Sequence, residues 1–239
     1  AVPRVVDPSA GQRRAVSPAG DRGAPPAPKL RSFRRRPYLP TLQDMQAFTL
    51  DRTADTRDEI WLVEHPAVFT LGHASRPEHL RAPGDIPVVR TERGGQVTYH
   101  GPGQVVAYLL IDLRRRSLMV RDLVASIEDA TIALLADYGV AAGRRPGAPG
   151  VYLKPADGCA GAKIASLGIR ISRGCSYHGV ALNVAMDLEP FSRIDPCGFP
   201  GLPVTDLRSC VGQVDIADVA ARFGKQLAAS MESRMESKR

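Results

Sequence analysis

An α+β fold, a mixed β-sheet with flanking helices, is predicted from three observations on this amino-acid sequence. Strand-sized apolar runs recur along most of the chain, bounded by Gly and Pro turns. Two of them flank a tight Arg173-Gly174 turn and read as an antiparallel hairpin. Only a few stretches place apolar residues at helical spacing, and no internal repeat is visible.

Taken in order, Leu42, Met45 and Phe48 predict a short amphipathic helix over residues 40–53. Residues 60–64 and 68–71 are dense in apolar side chains and read as strands, with His65-Pro66 as the turn between them. Pro83-Gly84 breaks the chain before a strand at 88–90, and Arg93-Gly94-Gly95 turns it ahead of a strand at 97–99. From Gln104 to Asp112 the apolar run is nearly continuous, as in a strand covered on both faces. Arg114, Arg115 and Arg116 then form a basic turn. The clearest helix covers residues 120–138, where Leu123, Val124, Ile127, Ile132, Leu134 and Leu135 make a wide apolar stripe and Gly139 a stop. Strands follow at 150–154, 162–171 and 175–184, and a last helix over 215–229 carries Ile216, Val219, Phe223 and Leu227 on one side.

The chain has 239 residues, enough for one well-buried domain. The longest apolar run, about residues 105–113, is far short of the roughly 18–20 residues that cross a bilayer, so no membrane partner is expected. Residues 1–36 hold nine basic and two acidic side chains, which accounts for the whole formal charge of +7. The basic character therefore belongs to a Pro- and Arg-rich segment read as a disordered tail, and nucleic-acid binding by the neutral remainder is not expected. The expected organisation is a tail over 1–36, a catalytic domain over 37–232 and a polar C-terminal tail over 233–239. Cys159, Cys175, Cys197 and Cys210 are too few for a disulfide framework and read as free thiols in a reducing cytoplasm.

Three groups of residues are candidates for chemistry. Arg93, Gly94, Gly95, Gln96, Val97, Thr98, Tyr99 and His100 lead into Gly101-Pro102-Gly103. Glycines there let backbone N–H groups approach an oxyanion, although a turn and strand corner would look the same. Lys163 is one of only five lysines among 32 basic residues, set between Ala162 and Ile164. Arginine holds its proton at useful pH whereas a desolvated lysine releases it, so Lys163 is a candidate acid and base; a solvent-facing strand lysine is the alternative. Cys197 lies in Asp195-Pro196-Cys197-Gly198, a turn that a bulky acyl donor can reach, while the other cysteines fit packing roles. His100 and His178 each occupy a Tyr-His-Gly triplet and are candidates for substrate contact, for a base, or for satisfied core residues.

RGGQVTYHGPGQVVAYLLIDL, GAKIASLGIRISRGCSYHGVALNV and DLEPFSRIDPCG, with DEIWLVEHPAVFTLG upstream, resemble the signatures of lipoyl(octanoyl) transferases over about residues 42–207. The resemblance implies a fold similar to the biotin and lipoate ligase catalytic domain. It implies Cys197 as the acyl-thioester residue and Lys163 as its partner. It also implies an acyl site lined by residues 93–100, by Ser166, Leu167 and Gly168, and by Gly179, Val180 and Ala181, with His178 beside them. Octanoyl would pass from octanoyl-acyl carrier protein, through a covalent octanoyl-cysteine, to the lysine of lipoyl domains of 2-oxoacid dehydrogenases and the glycine cleavage H protein. Neither ATP nor a metal is implied. Val97, Leu167 and Val180 are the expected walls of the acyl slot, and Arg114, Arg115 and Arg116 are exposed arginines available to steer acidic partners. The loop 155–161, which carries Cys159, is longer than the family pattern. Two rival readings use the same residues: a papain-like cysteine hydrolase with Cys197 and His178, and a structural zinc site from Cys175, His178, Cys197 and Cys210.

Overall fold

The computed structural model describes residues 25–154 and 161–236. The chain opens with β1 (Lys29–Arg35), α1 (Tyr38–Leu50), β2 (Glu59–Glu64) and β3 (Val68–Leu71). Next come β4 (Val88–Arg90), β5 (Val97–His100), β6 (Gln104–Leu110) and α2 (Val120–Asp137). β7 (Ala142–Gly143), β8 (Gly150–Leu153), β9 (Lys163–Ser172) and β10 (Cys175–Asn183) follow, and α3 (Leu207–Val211) and α4 (Ile216–Glu236) close the fold. The large sheet runs β1-β2-β6-β10-β9-β8-β7, and the small one β4-β3-β5. Both mix parallel and antiparallel pairs: β1 is parallel to β2 and β3 to β4, the rest antiparallel. This is the mixed sheet with flanking helices that the sequence predicts.

Period-two alternation decides which side chain goes where. Ile60, Leu62, Val105, Ala107, Leu109, Val180 and Leu182 face the stripes of α2 and α4, including Leu123, Ile127, Leu134, Phe223 and Leu227. Trp61, Val63, Val106, Tyr108, Tyr177 and Ala181 face α1 on the other side, against Tyr38, Leu42 and Met45. β6 and β10 are buried along their whole length because both faces are covered. The small sheet has its own core of Phe69, Val97, Tyr99, Met186, Phe191 and Ile194. The β9–β10 hairpin turns on Arg173 (φ 51°) and Gly174 (φ 80°), two consecutive left-handed residues as a tight hairpin requires.

Several expectations need correction. Residues 60–64 and 68–71 are strands as expected, but the turn between them is a crossing between sheets, β2 lying in the large sheet and β3 in the small one. The segment expected to be a tail through residue 36 contains β1; residues 1–24 lie outside the described residues. Its arginines suit an exposed edge, where Arg31 pairs with Glu59 (3.2 Å) and packs over Trp61, and Arg35 pairs with Glu64 (2.6 Å). The last helix runs to Glu236, beyond the expected boundary at 232. β7 and α3 were not predicted; each is too short to carry a periodic pattern.

The expected basic turn is not an exposed patch. Arg116 is 2% exposed and its Nε donates to Asp58 (2.6 Å), while Arg115 donates to the same carboxylate at 2.7 Å and Arg52 completes the cluster. Asp58 also accepts the Asp112 N–H (2.9 Å). A buried carboxylate needs such neutralisation, and removing one partner of a buried ion pair costs about 3–5 kcal/mol. Arg115 and Arg116 therefore hold β2 to the end of β6 and are not free to steer a partner.

Candidate active site

A pocket of about 470 Å³, open mouth included, lies where the small sheet meets β6, β9 and β10. Its lining brings together Arg93, Gly95, Gln96, Val97, Thr98, His100, Ser166, Leu167, Gly168, His178, Gly179, Val180, Ala181 and Cys197. The register explains the meeting: Gly179 faces Gly168, Val180 faces Leu167 and Ala181 faces Ser166 across the hairpin. Gly179 also lets β10 sit flat on β6, because a Cβ there would overlap the Ala107 carbonyl. Of the expected residues, Gly94 and Tyr99 stay out of the lining. The Gly94 N–H bonds the Ile169 carbonyl (3.0 Å) and ties the loop to β9. Tyr99 alternates into the small-sheet core, against Phe69 and Phe191.

Sequence reasoning missed Tyr38, Val106 and Tyr108, which also line the pocket. Val106 and Tyr108 were legible only as strand residues. Tyr38 precedes every signature, and its one signal was an aromatic at the start of an amphipathic helix.

At the mouth, Lys163 Nζ is 3.2 Å from Cys197 Sγ. The lysine is 2% exposed, which removes the solvent-facing alternative. Its other partners are the Pro149 carbonyl (2.9 Å) and Tyr152 Oη (3.0 Å). Three acceptors match the three N–H groups of an ammonium, and the tyrosine hydroxyl can turn to donate when the amine is neutral. Two features place this side chain. The Lys163 backbone pairs with the returning chain, its N–H donating to Pro203 (2.8 Å) and its carbonyl accepting from Thr205 (3.1 Å). Gly150, with φ 129°, leaves the space that the side chain crosses.

Cys197 is half-buried and holds a left-handed backbone, φ 56° and ψ 20°. A non-glycine residue in that region is strained, and such strain persists where surrounding structure over-determines it. Here the loop before it is clamped: the Arg81 and Ala82 N–H groups both donate to the Arg193 carbonyl (3.0 and 3.1 Å), and the Asp195 N–H donates to His79 (2.9 Å).

His65, His100 and His178 are buried and neutral. Burial lowers His65 to about 4, and His100 and His178 to about 3. His65 Nδ1 donates to the Arg36 carbonyl (2.7 Å), so its Nε2 accepts the Tyr108 hydroxyl (2.7 Å). Strict alternation would send His178 to the α2/α4 face. Its φ of 60° instead brings the ring beside Tyr177 and Tyr108, with Nε2 3.4 Å from Thr91 Oγ1. His178 makes no hydrogen bond to Cys197 among the described residues, which is not the pair a papain-like hydrolase needs. Nor are Cys175, His178, Cys197 and Cys210 gathered: among the described residues no three His, Cys, Asp or Glu side chains form a metal-holding group. Cys159 lies outside the described residues.

Acid should therefore unfold the protein. Unfolded imidazoles take up protons near 6.5 that the folded ones refuse until about 3–4, so this stability is complete above 6.5 and is lost as pH falls through that interval. At pH 5 the loss is about 2 kcal/mol for each of the three rings. Urea unfolding at pH 7.5 and pH 5 reads this out; equal midpoints would mean that the rings are not held neutral.

The family model described as Lipoyl protein ligase A/B catalytic domain matches residues 39–228. The curated Octanoyltransferase of Pseudomonas putida (strain W619) is 59% identical over 192 residues, 80% of this chain and 86% of that protein. Two solved structures share the fold. The bi-partite lipoate protein ligase of an archaeal lipoylation system from Thermoplasma acidophilum, studied with its E2 lipoyl domain, aligns with TM-score 0.66 at 16% identity, covering 88% of this chain and 89% of that one. Biotin protein ligase from Aquifex aeolicus, in complex with biotin and ATP, aligns with TM-score 0.54 at 11% identity, covering 87% and 72%. The expected likeness to biotin and lipoate ligases holds.

Proposed function

Because this chain belongs to the lipoyl protein ligase A/B catalytic-domain family and is an octanoyltransferase of protein lipoylation, we propose that it works through an octanoyl thioester on Cys197, with Lys163 as proton carrier. The observation that carries the proposal is the 3.2 Å contact between Lys163 Nζ and Cys197 Sγ at the mouth of the pocket.

The Cys197 proton moves to Lys163, leaving a thiolate against an ammonium. The thiolate attacks the carbonyl carbon of an octanoyl thioester, for which octanoyl-acyl carrier protein is the donor. The bond from that carbon to the carrier sulfur breaks, and Lys163 returns its proton to the departing thiolate. One thioester has replaced another, so the step is near thermoneutral and needs no ATP. The acceptor, a lipoyl-domain lysine of a 2-oxoacid dehydrogenase or of the glycine cleavage H protein, has a reference pKa of about 10.4 and arrives as an ammonium. Neutral Lys163 takes one of its protons. The free amine attacks the octanoyl carbon, the Cys197 thiolate leaves, and the second nitrogen proton passes to water. An amide has replaced a thioester, which drives the step forward without a nucleotide. The setting is the cytoplasm, where the thiol stays reduced; among the described residues no helix is long and apolar enough to cross a membrane.

The test is the intact mass of the protein after incubation with octanoyl-acyl carrier protein, without ATP. One octanoyl group should appear, map by peptide mass to Cys197, and leave when a lipoyl domain is added. An adduct elsewhere, or transfer with no adduct, would sink the covalent mechanism.

A further inference from the structure

The walls of the pocket are apolar, but its floor is not. Cys197 and residues 166–168 are half-buried at one end, whereas Tyr38, Arg93 and His178 are more than nine-tenths buried at the other. Two polar atoms on the floor, Tyr38 Oη and His178 Nδ1, have no hydrogen-bond partner among the described residues. Thr91 and Arg93 approach the Tyr38 hydroxyl only at the margin of hydrogen-bonding distance, so His178 Nδ1 is the clearer orphan of the two, and burial keeps the Tyr38 hydroxyl protonated. Arg93 contributes a cation whose hydrogen bonds go to neutral oxygens, the Thr70 carbonyl and hydroxyl and the Gly94 carbonyl. Buried polar atoms are satisfied in nearly all folded proteins, so orphans in one cavity point to something that fills it. His178 reaches this floor only through a strained backbone, and strain of that kind collects at functional sites.

Cys197 and the floor residues Tyr38, Arg93 and His178 line one pocket. An extended eight-carbon acyl chain measures about 9 Å from carbonyl carbon to methyl, from ordinary bond lengths. A chain whose carbonyl sits at Cys197 therefore points its far end toward Tyr38, Arg93 and His178.

We propose that this floor is a polar subsite for the far end of the acyl chain, accepting medium-length acyl groups that carry a hydrogen-bonding substituent there, with Tyr38 as the discriminating residue. The inference rests on the acyl-transfer reading above. With a plain octanoyl chain, water serves the same atoms. A hydroxyl forced into a dry apolar slot would be rejected; a floor with a waiting donor, acceptor and cation takes it with little loss.

The experiment compares octanoyl and 8-hydroxyoctanoyl thioesters of the same acyl carrier protein, with a lipoyl-domain acceptor, in the wild type and in Tyr38→Phe. Phenylalanine keeps the ring that stacks on His100 (centroids 5.7 Å) and removes only the hydroxyl. In the wild type the two kcat/KM values should agree within about tenfold, and in Tyr38→Phe the 8-hydroxyoctanoyl to octanoyl ratio should fall at least about tenfold, the scale of one lost hydrogen bond in a site. A wild type that transfers octanoyl but disfavours 8-hydroxyoctanoyl by more than about a hundredfold overturns the proposal, as does a ratio unchanged by the substitution. A wild type that transfers neither chain removes the acyl-transfer reading itself.

Discussion

Lys163→Arg is expected to load octanoyl onto Cys197 and then stop. The guanidinium keeps a positive charge beside the sulfur, so the thiolate still forms, its proton passing to water, and still attacks, with the carrier leaving as a thiolate that water protonates. It holds its proton at any useful pH, however, and cannot relieve the incoming lysine of one. General acid–base catalysis is worth about 10²–10⁴-fold, and steady-state transfer at pH 7.5 should fall by about 10³-fold. The adduct should persist in the intact mass after the lipoyl domain is added. The defect should also ease with pH, by about tenfold per unit toward pH 10, as the acceptor sheds its own proton. Substantial turnover at pH 7.5, or a defect that ignores pH, would remove Lys163 from the base role.

Gly150→Ala should damage the same pair without touching either member. At φ 129° an alanine is strained, and its Cβ would stand 2.6 Å from the Ala165 carbonyl and 2.9 Å from both Cε and Nζ of Lys163. Either β8 withdraws from β9 or the lysine withdraws from the sulfur. A displacement of about 1 Å costs roughly 10²-fold in a positioned reaction, so transfer should fall by about that factor, with a backbone cost of about 1–3 kcal/mol in stability. Gly147→Ala separates the two effects, since Gly147 is also left-handed (φ 73°) but its Cβ would meet nothing within 4 Å. That variant should lose some melting temperature and retain transfer. If Gly150→Ala also retained transfer, the space that this glycine leaves would not be what positions Lys163.

The contrast between these two glycines shows what the sequence reveals and what it withholds. α2, α4 and the β9–β10 hairpin were legible because their signals are local: an apolar stripe, or an Arg-Gly turn between two apolar runs. Lys163 and Cys197 were legible as a rare lysine and a cysteine in a Pro-Cys-Gly turn. Their contact was not, because it depends on a chain return that pairs Lys163 with residues 203–205. β1 reads as tail because its composition is that of a solvated segment; what makes it a strand, the ladder to β2, Phe33 against Trp61, and the carboxylates of Glu59 and Glu64, lies far along the chain. Arg116 looked exposed for a similar reason; its counter-charge, Asp58, lies 58 positions earlier. Tyr38 reaches the pocket by the packing of α1 on the large sheet, which no neighbouring residue announces.

The proposed nucleophile and its proposed proton carrier hang from different parts of the fold. Cys197 hangs from a loop clamped by residues 79–82, between β3 and β4 of the small sheet, while Lys163 grows out of β9 in the large one. Their separation of 3.2 Å is thus a gauge of how well the two sheets are seated on each other. The chain return at residues 203–205, which pairs with Lys163 soon after Cys197, is what fixes that gauge, so a change there is expected to cost the reaction before it costs either sheet.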